Sequence, residues 1–235
     1  MIDKKLISKY WEDNREQFEK TVSDVDAVKH GVFLTEGLLL CSVFDILGTD
    51  LIIESGTAYG TSAEIFANYF DIPVITIDSD HLYSAYSDTA NKLASYSNLT
   101  CLKGDSFNLL PELIRNNSDK RISVFIDGPK GDGAIQLRNK IINYGNIVSV
   151  GFHDIDYPLF HRIKNKDIWP VFNSQDLLHS YELDYLFEEY SYLAIKNKEF
   201  IEERDKHLDE PRLWSFPNGV GTMIEKKSVL ETWNV

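Results

Sequence analysis

The stretch Leu51-Ile52-Ile53-Glu54-Ser55-Gly56-Thr57-Ala58-Tyr59-Gly60-Thr61-Ser62 decides the reading of the fold. Its apolar start, two residues of it β-branched, suits a strand buried on both faces, as strands of a parallel sheet are. Two glycines four apart then permit a tight turn and a close approach of backbone to a ligand. The helix expected over Ser62–Phe70 gathers Ile65, Phe66, Tyr69 and Phe70 on one face. Its first turn offers unpaired N–H groups to the loop before it. The spacing is Gly-x-x-x-Gly. The Gly-x-Gly-x-x-Gly fingerprint of dinucleotide folds is absent, which argues against a pyrophosphate cradle and a nicotinamide-dependent oxidoreductase.

Working outward, the same alternation repeats. Strands are expected at Leu51–Glu54, Val74–Asp78, Leu99–Leu102, Ile122–Asp127 and Ile147–Phe152, and a last one at Gly221–Glu225 after Pro217-Asn218-Gly219. Helices are expected near Leu82–Tyr96, at Leu109–Arg115 and at Ala134–Tyr144. Upstream, residues 36–47 read as an apolar helix ended by Gly48, and residues 1–30 as one or two amphipathic helices. This pattern predicts an α/β domain, a parallel sheet with helices on both faces. One domain, 1–235, is expected. It comprises a helical segment (1–35), a core (36–154), an aromatic and acidic segment (155–219), and a last strand and tail (220–235). Within Glu182–Glu210 ten Asp/Glu stand against four Lys/Arg. That bias fits either a solvated helical face or a cap that shapes acceptor choice.

Composition removes several function classes. With 37 acidic and 24 basic residues the formal net charge is −13, which repels phosphate backbones and disfavours nucleic acid. The apolar stretch Leu38–Leu47 is interrupted by Asp45 and falls short of the roughly 20 residues that span a bilayer. The beginning, Met1-Ile2-Asp3-Lys4-Lys5-Leu6, lacks the apolar h-region of a secretory signal. Cys41 and Cys101 form neither a disulfide framework nor a metal-ligand spacing, so a cytoplasmic protein is the expectation.

Ligands of open parallel sheets bind beyond the carboxyl ends of the strands. Asp78, ending the second strand 18 residues past Gly60, can accept hydrogen bonds from ribose hydroxyls; a loop or capping acid is the plainer reading. Gly104-Asp105-Ser106 suits an adenine pocket, or a helix cap. The fourth strand ends in Asp127-Gly128-Pro129-Lys130 and the fifth in His153-Asp154. Asp127, His153 and Asp154 together could hold Mg or Mn. Lys130 could reach the same cleft as a base. The alternative is an Asp127 that meets only a cofactor ammonium and a merely polar strand end.

These motifs, in this order, resemble class I S-adenosylmethionine-dependent methyltransferases. The closest flavour is the branch related to cephalosporin hydroxylase and small-molecule or sugar O-methyltransferases. The resemblance covers residues 36–155 and Gly219–Glu225. It implies a Rossmann-like, doubly wound, mostly parallel seven-stranded sheet, and S-adenosylmethionine as cofactor. Gly56, Thr57, Tyr59 and Gly60 would form the loop under its methionine part, with Glu54 supporting the loop and Asp78 on the ribose. Asp105 and Ser106 would line the adenine, and Asp127 would border the cofactor. In metal-dependent members the positions of Asp127, His153 and Asp154 hold Mg, and Asp127-x-x-Lys130 matches the metal acid and catalytic lysine of catechol-type enzymes. Two departures stand out. His153 replaces an acid and is itself a candidate base, and Pro129 could turn Lys130 away. The implied partner is a small-molecule acceptor (a sugar, phenol or natural product), with neither nucleic acid nor membrane and with a homo-oligomer compatible. A non-catalytic nucleoside-binding domain is the alternative.

Overall fold

The computed structural model describes residues 34–79, 87–155, 171–173 and 221–226, with parts of 6–32. In chain order these hold α1 (Arg15–Ser23), α2 (Leu34–Ile46), β1 (Leu51–Ser55), α3 (Thr61–Tyr69) and β2 (Val74–Asp78). There follow α4 (Ser87–Leu93), β3 (Leu99–Lys103), α5 (Ser106–Asn116), β4 (Ile122–Ile126) and α6 (Asp132–Ile141). β5 (Ile147–Ile155), β6 (Val171–Asn173) and β7 (Gly221–Lys226) complete the sheet.

β1 and β4 are buried along their whole length, which is why their sequences run apolar without alternating. Successive side chains nevertheless leave on opposite faces. Ile52 and Phe125 enter a core with Phe18 of α1, Leu38, Leu39, Leu40 and Phe44 of α2, and Phe66 of α3. Leu51, Ile53, Val124 and Ile126 enter the other core, with Leu110 and Ile114 of α5 and Leu137 and Ile141 of α6. Helices therefore cover both faces, as the alternation predicts.

The strand order is β3-β2-β1-β4-β5-β7-β6. The first five strands pair in parallel, and β7 runs antiparallel to β5 and β6. Winding goes one way from β1 to β3 and the other way from β4 to β5, so the switch point lies between β1 and β4. Ser55 and Ile126 are paired there. The crevice beyond their carboxyl ends is where this class of sheet binds ligands.

Element ends differ from the sequence expectation for local reasons. α5 starts at Ser106, three residues early, because Asp105 caps it by accepting from Phe107 N at 2.9 Å. Lys103 and Ser55 are strand residues, and β4 stops at Ile126, leaving Asp127 just past its end. The three-residue β6 is too short to leave a hydropathy signal and falls inside the segment expected as a cap. The rest of that segment, and the Pro217-Asn218-Gly219 turn, lie outside the described residues. Among the described residues no helix is long and apolar enough to cross a membrane.

Candidate functional site

The loop after β1 is built from its glycines. Gly56 has φ +101°, and a Cβ there would meet Gly128 N at 2.5 Å and the Asp127 carbonyl carbon at 2.9 Å. Only glycine lets the loops after β1 and β4 touch. Ser55 O locks them together by accepting from Asp127 N and Gly128 N, both at 2.8 Å. Ser55 Oγ is hydrogen-bonded to the Gly128 carbonyl and lies 2.7 Å from Ser106 Oγ, so β1, β4 and α5 converge. Gly60 N-caps α3 with φ +78°.

Asp78 and Thr57 come together. Asp78 Oδ2 accepts from Thr57 N at 2.9 Å and Ala58 N at 2.8 Å, so the acid at the end of β2 fixes the loop after β1. The plain reading of Asp78 as a loop acid thus holds for Oδ2. Its other oxygen, Oδ1, accepts no hydrogen bond from the protein in the described contacts, although the residue is only 4% exposed. A buried carboxylate oxygen without a donor is costly, and it suits a ligand hydroxyl.

Glu54 lies behind the loop with no exposure. It accepts from Ser62 Oγ and, at 2.6 Å, from Thr76 Oγ1, which in turn bonds Thr57 Oγ1 at 2.6 Å. Burial pushes the Glu54 carboxyl up to about 8; the two hydroxyl donors pull it down, while Asp127 and Asp78 add to the rise. Thr76 is a linking residue that the sequence reading missed. Its one signal is a lone hydroxyl in an apolar strand.

Asp105 stays at its cap, with Oδ1 taken by Phe107 N and Oδ2 by Asn108 Nδ2 at 3.1 Å. Its carboxylate therefore serves α5 first, and Ser106 is the residue of that pair joined to the loop. Tyr59 is half-buried beside Ala58 on the loop.

Across the switch point, Lys130 Nζ bonds Asp127 Oδ1. Pro129 therefore does not turn the lysine away. His153 Nδ1 lies 2.9 Å from the same oxygen and 3.4 Å from Lys130 Nζ. His153 Nε2 lies 3.3 Å from Glu36 Oε2. Burial alone would raise the Asp127 carboxyl, but the hydrogen bond and charge of His153, and then of Lys130, hold it below the usual aspartate range. Glu36 is the second residue missed. It is a single acid in the first turn of the apolar helix α2.

Of the expected metal trio, Asp127 and His153 come together. The described residues contain no group of three His, Cys, Asp or Glu able to hold a metal ion. Asp127 already receives two nitrogens on one oxygen, and the side chain of Asp154 lies outside the described residues. Each ring nitrogen of His153 faces a carboxylate.

No family model and no curated protein matches the chain. Solved structures do. The O-methyltransferase TomG of Streptomyces achromogenes, in complex with SAM, is 15% identical, with 97% of this chain and 91% of that one covered at a TM-score of 0.50. The fold is that of the class I methyltransferases. A methyltransferase of Podospora anserina bound to SAH is 16% identical over 94% of both chains (TM-score 0.47). An O-methyltransferase of Bacillus cereus with SAH is 15% identical over 93% and 96% (TM-score 0.49). At these identities the likeness is one of fold. On the methyltransferase fold the glycine loop and Asp78 occupy the ends of β1 and β2, and Asp127, Lys130 and His153 gather at the ends of β4 and β5.

Proposed function

We propose that this protein is an S-adenosylmethionine-dependent methyltransferase that methylates a hydroxyl of a small molecule. The observation that carries the reading is Asp78. One oxygen pins the glycine loop while the other, buried, receives no hydrogen bond from the described residues, at the carboxyl end of β2 where a nucleoside ribose would supply one. Gly56, Thr57, Tyr59 and Gly60 would hold the methionine part of the cofactor along the loop. Ser106, and Asp105 beyond its capping role, would border the adenine. Glu54 would act from behind, through Ser62, Thr76 and Thr57. When bound, the sulfonium supplies an electrophilic methyl group. The solved SAM and SAH complexes of the same fold support this cofactor.

The protein's own contribution is on the acceptor side. Lys130 extends from the end of β4 with its side chain 48% exposed, against an Asp127 only 13% exposed. An ammonium here would donate to the acceptor oxygen and favour its anionic form, the stabilisation expected of a fixed cation beside a developing oxyanion. Its exposure gives the released proton a path to water. Asp127 orients Lys130, and His153 orients Asp127. Positioning of this kind contributes several kcal/mol to displacement reactions. Sugars, phenols and related natural products are the acceptor class, and a homo-oligomer is compatible with the site. The described residues hold no group of three His, Cys, Asp or Glu able to bind a metal ion, so no step is routed through one.

Calorimetric titration of the purified chain with S-adenosylhomocysteine, with and without Mg, tests this. Micromolar binding that is indifferent to Mg is the expected result, followed by transfer of labelled methyl to members of a phenol and sugar panel. Absence of binding in both conditions would overturn the reading.

A further inference from the structure

Glu36 belongs to none of the loops that carry the cofactor reading. It sits in the first turn of α2, next to Leu38, Leu39 and Leu40, and is 4% exposed. A carboxylate in such a place is rare without a charged or hydrogen-bonding partner. The N-terminal end of the helix favours its charge, and His153 Nε2 lies 3.3 Å from its Oε2. The opposite ring nitrogen lies 2.9 Å from Asp127 Oδ1. His153 is thus gripped at both ends, by α2 on one side and by the end of β4 on the other. The Phe125 ring, 6.5 Å away between centroids, bounds it further. A ring held at one nitrogen can pivot, whereas a ring held at two cannot. Lys130 closes the series on Asp127, giving an order of acid, imidazole, acid, ammonium that starts in the buried core and ends in the crevice.

We propose that Glu36 is a positioning residue of the acceptor site: it clamps His153, and through His153 holds the Asp127–Lys130 pair, so that the protein's own ammonium takes the carboxylate a divalent cation would use. The role as acceptor site rests on the methyltransferase reading; the clamp itself does not. It explains why an imidazole stands at a position where an acid would serve a metal. In its protonated form a histidine there donates an N–H to each of the two flanking carboxylates, while a third acid would add repulsion.

The test uses the full-length chain with Glu36→Gln and Glu36→Ala. The imidazole N–H signals of His153 are assigned by their loss in His153→Asn. In the native protein the Nε2 proton is expected to be protected from solvent exchange, and added Mn²⁺ to broaden His153 no more than the other histidines. In Glu36→Gln its exchange should quicken by about tenfold or more, the signature of a local opening. Affinity for S-adenosylhomocysteine should stay within about twofold, because Glu36 acts from α2 on the end of β4 and not on the glycine loop after β1. Unchanged exchange in both variants, or selective Mn²⁺ broadening at His153 in the native protein, would overturn the proposal. A parallel loss of S-adenosylhomocysteine affinity would also overturn it, by making Glu36 a general structural residue. Should Glu36→Ala fail to fold, the isosteric Glu36→Gln still decides. If the native protein binds no S-adenosylhomocysteine, the methyltransferase reading fails while the exchange and Mn²⁺ results still judge the clamp.

Discussion

Replacing Glu54 with glutamine should remove a specific fall in stability with rising pH. Glu54 is fully buried, and burial pushes its carboxyl up to about 8, whereas an unfolded glutamate titrates at about 4.3. Between those values the folded chain holds one proton more than the unfolded chain. The unfolded state therefore binds fewer protons, and unfolding becomes easier as pH rises. The stabilisation is fully present below the unfolded value and is lost as pH climbs toward the folded one. The slope is about 1.4 kcal/mol per pH unit, and the whole effect is on the order of 5 kcal/mol. For a chain of this size it corresponds to a Tm that drops by about 3–6 °C per pH unit. Glutamine keeps the shape and can still meet Ser62 and Thr76, both of whose hydroxyls can turn to accept from its amide. Melting curves of both proteins from pH 5 to 8.5 isolate the contribution, since every other titrating group is common to the pair. The native curve should fall relative to the Glu54→Gln curve across this window. Parallel curves would refute the reasoning and show that the carboxylate is ionised in the folded state.

Three further outcomes follow from the same geometry. Asp78→Asn should weaken S-adenosylhomocysteine binding by about 10–100-fold, since charge-assisted bonds to Thr57 N and Ala58 N and the buried Oδ1 acceptor change together; calorimetry reads it, and unchanged affinity would leave Asp78 a loop fastener alone. Asp105→Ala should cost about 1 kcal/mol in urea unfolding through the lost cap of α5. If S-adenosylhomocysteine affinity falls as well, the acid reaches the ligand in addition to its helix. Gly56→Ala should destabilise by about 2–4 kcal/mol, because its φ of +101° and the Gly128 backbone 2.5 Å from the added Cβ both oppose it; a urea midpoint equal to the native one would refute the contact between the two loops.

How much was legible in the sequence can be traced residue by residue. The apolar runs at β1, β2, β4 and β5, with helical periodicity between them, located the parallel strands because burial on both faces leaves an unmistakable local pattern. Gly56 and Gly60 were legible as turn residues, but the reason for Gly56 was not. The backbone of Gly128, far away in the chain, excludes a Cβ there. Asp105 was legible as either a ligand or a cap, and the helix start, fixed by one hydrogen bond, shows it in the capping role. Glu36 and Thr76 were illegible. One acid in the first turn of an apolar helix and a single hydroxyl in an apolar strand carry no spacing signal, and their partners lie on other elements.

The sequence by itself determined the order of strands and helices and placed Asp78, Asp127 and His153 at strand ends, because hydropathy period and turn chemistry are local properties. Only the tertiary structure decided what those side chains do. The switch point brings the ends of β1 and β4 into contact, and α2 carries Glu36 against His153. Lys130 is set on Asp127, the carboxylate expected to take a metal. Ion pairs and hydrogen bonds act over a few ångströms in space, and chain folding joins residues more than a hundred positions apart with nothing in either local pattern to announce it.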